Sequence, residues 1–260
     1  MPILIRTHLI YATQQPCDLL LQIEATPDPT QLCQEADLSL TPQSPNTPLR
    51  GDEDVGMRRW IKAAQQFECH YRAVYDVQRA PPHWAQLAQT PWAAIPSDVV
   101  KYLMPSRYCH SDQFFDFVSN QFPALEGGPL VLAMADWIAQ NFTYDNGVSH
   151  AGTTASDSFM ALKGVCRDYV HVLIAFARAA GLPARFVSVY APDVTPKDFH
   201  AVAEVYLEGH WHLIDPTGMA QPQDMVKICV GRDAADASFL TSYGWMDLVE
   251  QSVRVDRMLP

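Results

Sequence analysis

Residues 164–183 read Gly164-Val165-Cys166-Arg-Asp-Tyr-Val-His-Val-Leu-Ile-Ala-Phe-Ala-Arg-Ala-Ala-Gly181-Leu-Pro183. Residues 199–217 read Phe199-His200-Ala-Val-Ala-Glu-Val-Tyr-Leu-Glu208-Gly209-His-Trp-His-Leu-Ile-Asp215-Pro-Thr217. The first stretch predicts a strong helix, stopped by Gly181 and Pro183. Cys166 falls in its first turn, where unpaired backbone N–H groups attract an anion and so suit a thiolate. The second stretch predicts a hairpin turning at Glu208-Gly209. A two-residue loop makes position 207 face 210, so Asp215 lies opposite Val202. His200 is then a diagonal neighbour of Asp215 on the same face, about 7–8 Å away or less between Cβ atoms. A one-residue slip would put them on opposite faces. In this register Asp215 orients the His200 ring, and His200 serves as the proton partner of Cys166.

The chain outside this core divides by texture. Twelve of the 20 prolines but only two of the 12 glycines fall in the first 105 residues. Proline is badly tolerated beyond the first turn of a helix, so residues 1–100 are expected to form a β-rich, sandwich-like domain. Ile3–Thr13 and Asp18–Thr26 read as strands. Phe67 to Val77 alternates apolar and polar residues, the mark of a strand with one buried face. Thr41–Pro48, with three prolines, reads as a loop, and Asp52-Glu53-Asp54 as a solvated charge cluster. Residues 101–128 are expected to connect, with a short helix over 111–120 capped by Ser111. Residues 129–245 form the helical core, with helices over 129–142 and 159–163 and Ser156 or Asp157 as the cap of the second. Ala184–Ala191 reads as a strand. Residues 246–260 form a tail, read as a candidate returning strand. The fold class is therefore α+β.

Composition excludes several functions. Hydrophobic residues make up 48% and charged residues 18%, so the chain is globular rather than disordered. Eighteen basic against 29 acidic residues give a net charge of −11, which repels phosphate backbones and argues against nucleic acid as a partner. From Tyr108 to Leu162 there is no Lys or Arg. No apolar run approaches the roughly 18 residues of a membrane helix, and Met1–His8 lacks a signal-peptide pattern, so no membrane association and a cytoplasmic location are expected. The six cysteines form no C-x-x-C pair and no metal-ligand spacing, so no metal site is expected. Cys109 and Cys229 read as core thiols, Asp168 as a helix-start acid, and Arg107-Tyr108 as a structural tie. His171 lies about 140° from Cys166 around the helix, and His210 and His212 share the strand face opposite Asp215.

The motifs around Cys166, His200 and Asp215, together with Ala180-Gly181-Leu-Pro183-Ala-Arg185 and Val230-Gly231-Arg232-Asp233-Ala-Ala-Asp236, resemble the core of the transglutaminase-like superfamily over roughly residues 129–235. Order and spacing are similar too, with 34 residues from Cys to His and 15 from His to Asp. Leu103-Met-Pro-Ser-Arg107-Tyr-Cys109 and the β-rich half resemble a bacterial subgroup described as candidate cysteine proteases. The resemblance implies a papain-like core behind an N-terminal β domain. It also implies a triad: Cys166 as nucleophile, His200 as general base and acid, Asp215 as orienting carboxylate. Many relatives carry Trp two residues after the His, where this chain has Val202, and Gln after the Cys, where it has Arg167. The implied chemistry is acyl transfer at amide bonds through a thioester, by hydrolysis or by attack of an amine, on a peptide or other amide-bearing substrate. The Cys166 N–H supplies one oxyanion donor; Gln140, Asn141 and Tyr144 are candidates for a second. No cofactor is required, and no acidic loop has EF-hand spacing. The alternatives are a non-catalytic peptide-binding or scaffolding module in the same fold, and a thiol redox protein, which the missing C-x-x-C disfavours.

Overall fold

The computed structural model describes residues 1–41 and 46–258, so residues 42–45 of the expected 41–48 loop lie outside it. Six strands open the chain: β1 (Pro2–Ala12), β2 (Cys17–Glu24), β3 (Gln31–Thr41), β4 (Thr47–Arg50), β5 (Met57–Ala63) and β6 (Gln66–Val77). Period-two alternation buries one face of each inner strand: Ile3, Ile5 and Leu9 on β1, Leu19, Leu21 and Ile23 on β2, and Phe67, Cys69 and Tyr71 on β6. Strands β3, β4 and β5 escape a reading based on apolar pattern. Edge strands β3 and β4 are mostly exposed, and β5 begins Met57-Arg-Arg. Polar edge strands of this kind resist edge-to-edge aggregation.

The second half contains α1 (Ser97–Val100), α2 (Phe115–Gln121), α3 (Gly127–Asn141), β7 (Thr143–Tyr144), α4 (Ala155–Ala161), β8 (Lys163–Gly164) and α5 (Cys166–Ala179). An antiparallel sheet follows, made of β9 (Ala184–Tyr190), β10 (His200–Leu207), β11 (His210–Ile214) and β12 (Val226–Gly231) in the order β11-β10-β9-β12. The last strands, β13 (Leu240–Ser242) and β14 (Asp247–Arg257), return to the first half. They complete two four-stranded sheets, β14-β1-β6-β3 and β13-β2-β5-β4. The architecture is α+β, an N-terminal sandwich joined to a helix-and-sheet core. Residues 240–242 thus belong to the sandwich, although they precede position 245. One apolar core runs from Ile3 and Phe67 through Ile228 to Phe176.

Three local expectations need correction. Residues 111–113 form a 3-10 turn, and α2 starts only after Phe114, so Ser111 does not cap it. Thr154 caps α4: its hydroxyl accepts the Asp157 N–H while the Asp157 carboxylate accepts the Thr154 N–H, a capping box three residues wide. Asp52-Glu53-Asp54 is no loose charge cluster either. Asp52 takes a two-pronged hydrogen bond from Arg58 at 3.1 and 2.8 Å, and Glu53 accepts from Arg185 and from the Tyr102 hydroxyl. The partners are distant in sequence, which hides the network from local inspection.

Arg185 and Glu204 pair across β9 and β10, are almost fully buried, and bond through Nε and Oε2 at 2.7 Å. The guanidinium also lies 4.1 Å from the Trp211 ring centroid. Glu204→Ala leaves the buried Arg185 guanidinium with Glu53 as its remaining carboxylate partner, so it should lower stability by about 3 kcal/mol, the low end for a broken buried pair, in urea unfolding. A loss below about 1 kcal/mol would mean that Glu53 alone balances Arg185.

Candidate active site

Helix α5 is buried from Asp168 to Arg178, with Cys166 at its first position and partly exposed. Val165 is extended, and its N–H donates to the Asp168 carboxylate at 2.9 Å, which satisfies part of the helix start. Gly164 precedes this turn for a steric reason: a Cβ there would stand 2.6 Å from the Asp168 carboxylate. Arg167 braces the loop before the helix, donating to the Ser149 hydroxyl at 2.7 Å and the His150 carbonyl at 2.6 Å.

The β10–β11 hairpin has the register its two-residue turn dictates. Leu207 pairs with His210 and Ala203 with Ile214. Glu208 and Gly209 both take positive φ, 50° and 80°, as a type I′ turn requires. His200 consequently meets Asp215, Nε2 to Oδ2 at 2.8 Å, with both side chains essentially inaccessible. The Asp215 carboxylate is itself held by the Thr217 N–H at 2.9 Å, the Thr217 hydroxyl at 2.7 Å and the Ala220 N–H at 2.8 Å. The other ring nitrogen, Nδ1, is buried with no hydrogen-bond partner among the described residues. Burial alone would depress the imidazole, but the hydrogen bond to Asp215 and the charges of Asp215 and Cys166 favour its protonated form, lifting it to about 10. The three sequence-selected residues therefore converge.

The remaining candidates separate cleanly. His171 is fully buried, stacks on Tyr108 at 5.1 Å and accepts the Ala234 N–H, and burial drives its proton affinity well below the usual range. His212 faces away and contacts the Leu207 carbonyl at 3.2 Å. Burial pushes the Cys69, Cys109 and Cys229 thiols up to about 12. Tyr108 does tie segments together, through its N–H to Asp233 and its hydroxyl to Ala151. Gln140 and Asn141 are exposed, and the Asn141 amide turns back to Trp137. Tyr144 is different: β7 pairs with β8, Tyr144 beside Gly164, and its phenol proton is retained by burial and by the neighbouring Cys166 charge.

A cavity of about 290 Å³ opens at this site, lined among others by Cys166, His200, Phe186, Asp198 and Phe239. Asp198 stands two residues before His200 and lines the same cavity, in the stretch that leads into the His. Ala234, Ala237, Ser238 and Phe239 also line the cavity; Ala234 falls in the segment that begins at Val230 and carries part of the resemblance, and nothing local in sequence marks the other three.

The family model of the transglutaminase-like superfamily core matches residues 121–216. The crystal structure of a candidate cysteine protease from Cytophaga hutchinsonii superposes with a TM-score of 0.93 at 30% identity, covering 100% of this chain and 92% of that one. An uncharacterised protein of Mycobacterium tuberculosis is 34% identical over 126 residues, 42% of this chain and 40% of its own length. One from Haemophilus influenzae is 25% identical over 166 residues, 62% of this chain and 42% of its own. The chain thus spans about two fifths of the curated relatives it matches. It belongs to the transglutaminase-like superfamily. Together with the Cytophaga structure, that membership supports a thiol-dependent class of enzyme. Among the described residues, no helix is long and apolar enough to cross a membrane.

Gly164→Ala should force Asp168 off Val165 and loosen the first turn of α5. Overpacking of this kind costs about 1–3 kcal/mol, to be read by thermal unfolding, with slower alkylation of Cys166 alongside. An unchanged melting temperature would show that Asp168 does not seat the turn.

Proposed function

We propose that this protein is a cysteine-nucleophile enzyme that transfers acyl groups from amide bonds, with Cys166, His200 and Asp215 as its triad. The observation that carries the reading is the His200–Asp215 bond at 2.8 Å, which leaves the unpartnered Nδ1 for the thiol at the start of α5. In this reading His200 Nδ1 already holds the Cys166 proton, and the Cys166 thiolate attacks the carbonyl carbon. Collapse of the tetrahedral intermediate breaks the C–N bond, and His200 returns the proton to the leaving amine. A thioester remains. Water, deprotonated by His200, then releases the acid; an amine in its place gives a new amide. The Cys166 N–H and the Tyr144 hydroxyl are the donors at hand for the oxyanion.

The test is the iodoacetamide alkylation rate of each cysteine against pH, followed by mass spectrometry. A free thiol with a pKa near 8.5 is only about 0.3% ionised at pH 6, whereas a thiolate paired with an imidazolium is fully formed. Cys166 should therefore react about 100-fold faster than the other five at pH 6. Because His200 holds its proton up to about 10, the rate should stay flat from pH 6 to about 9 and the pairing should fail above that. His200→Ala should abolish the advantage. Equal, slow labelling of all six would remove the enzyme reading and leave a peptide-binding module.

Asp198 bears on substrate charge. Its Oδ1 accepts the Phe199 N–H at 2.7 Å and the Gln251 amide at 2.6 Å, and burial holds its carboxyl above the usual range. No ion pair to it is found among the described residues, so the reading favours neutral or cationic groups in the cavity. A cationic methanethiosulfonate should modify Cys166 about 5- to 10-fold faster than a neutral one, on the order of 1 kcal/mol of attraction. Asp198→Asn, which keeps the accepting oxygen, should erase that ratio. A ratio unchanged in the variant would assign the preference to the acidic surface at large.

A further inference from the structure

On the opposite, solvent-facing side of the first sheet, β1 and β6 bring together side chains that the acyl-transfer chemistry does not use. His8 and His70 are directly paired across the two central strands. Their rings stack with centroids 4.1 Å apart and an 8° tilt. Glu68, two residues from His70 on the same face, places one carboxylate oxygen 2.9 Å from the Nε2 of each ring. The three ligand atoms lie within 4.8 Å of one another.

We propose that His8, Glu68 and His70 bind a divalent transition metal, zinc foremost. Two imidazoles and a carboxylate are a ligand set that zinc accepts in sites with an open position. Bonds of about 2.0–2.1 Å place ligands about 3.3 Å apart at a tetrahedral ion. The present nitrogen–oxygen spacings therefore need to widen by only a few tenths of an ångström. Without an ion, the two Nε2 atoms share one carboxylate oxygen while the rings lie face to face; with an ion, each Nε2 offers it a lone pair.

A second observation favours a ligating role. The Glu250 carboxylate on β14 stands 3.4 Å from the His8 Nδ1. A carboxylate behind the second nitrogen of a metal-binding histidine fixes the Nδ1–H tautomer and makes Nε2 the better donor. Both histidines border an open cleft of about 460 Å³ that is also lined by Arg6, Arg72 and Arg254. The cleft leaves room for water or an anion at the remaining coordination position. Central strands of a sheet are rigid, which suits a site built before the metal arrives.

The test is calorimetric titration of the full chain with zinc chloride, repeated with cobalt chloride to read coordination from the visible spectrum. One equivalent should bind, with the absorption of a four-coordinate nitrogen and oxygen site. His8→Ala/His70→Ala should weaken binding by more than about 100-fold, and Glu250→Gln by about 10- to 100-fold. Cys166→Ala should leave the affinity unchanged, which separates this site from the thiol. If the double variant fails to fold, His70→Ala alone decides, since that side chain is 55% exposed. No saturable binding, or affinity unchanged by the histidine substitutions, would overturn the proposal.

Discussion

Burial of α5 on all sides is the constraint around which the rest of the chain is arranged. From Asp168 to Arg178 every residue of the helix is inaccessible, including a histidine and an arginine. A helix without a solvent face must be covered by a sheet on one side and by helices on the other. The β11-β10-β9-β12 sheet and helices α3 and α4 supply those covers. Only the ends reach solvent, and Cys166 is one of them. The same burial forces Arg178 to find carbonyl partners at Ala184, Met104 and Arg232, so its guanidinium stitches the connecting segment to the sheet. A polar group in such surroundings is tolerable only when its donors are satisfied.

What could be read from sequence follows from how local each determinant is. The Cys166 position depends on helix-start chemistry within a few residues, and the His200–Asp215 meeting on the parity of a two-residue turn. Both are short-range and both were legible. Long alternating strands such as β6 were legible for the same reason. The edge strands β3 and β4 were not, because an exposed strand with mixed polar residues looks like a loop when its partner is unknown. The Thr154 cap lost to Ser156 and Asp157 because all three residue types suit an N-cap, and only the start of the helix distinguishes them. Glu53 with Arg185, Asp198 with Gln251, and His8 with Glu68 and His70 are products of tertiary pairing, which no window along the chain contains.

The sandwich and the site are mechanically one object. The segment leading into His200 is fastened to β14 at three points: Asp193 pairs with Arg257, Lys197 reaches the Val255 carbonyl, and Asp198 accepts from Gln251. Strand β14 in turn pairs along nearly all of β1, in the middle of the first sheet. Behind it, Tyr190 at the end of β9 sends its hydroxyl to the Ile23 carbonyl of β2. Phe199, adjacent to His200, stacks on Phe239 at 4.5 Å, just before β13. In the proposed chemistry His200 must be held to within a fraction of an ångström of Cys166, and loops alone hold positions poorly. The C-terminal strands therefore do more than close the sandwich. By tying the approach to β10 into two sheets, they limit the positions that the His200 ring can take relative to Cys166.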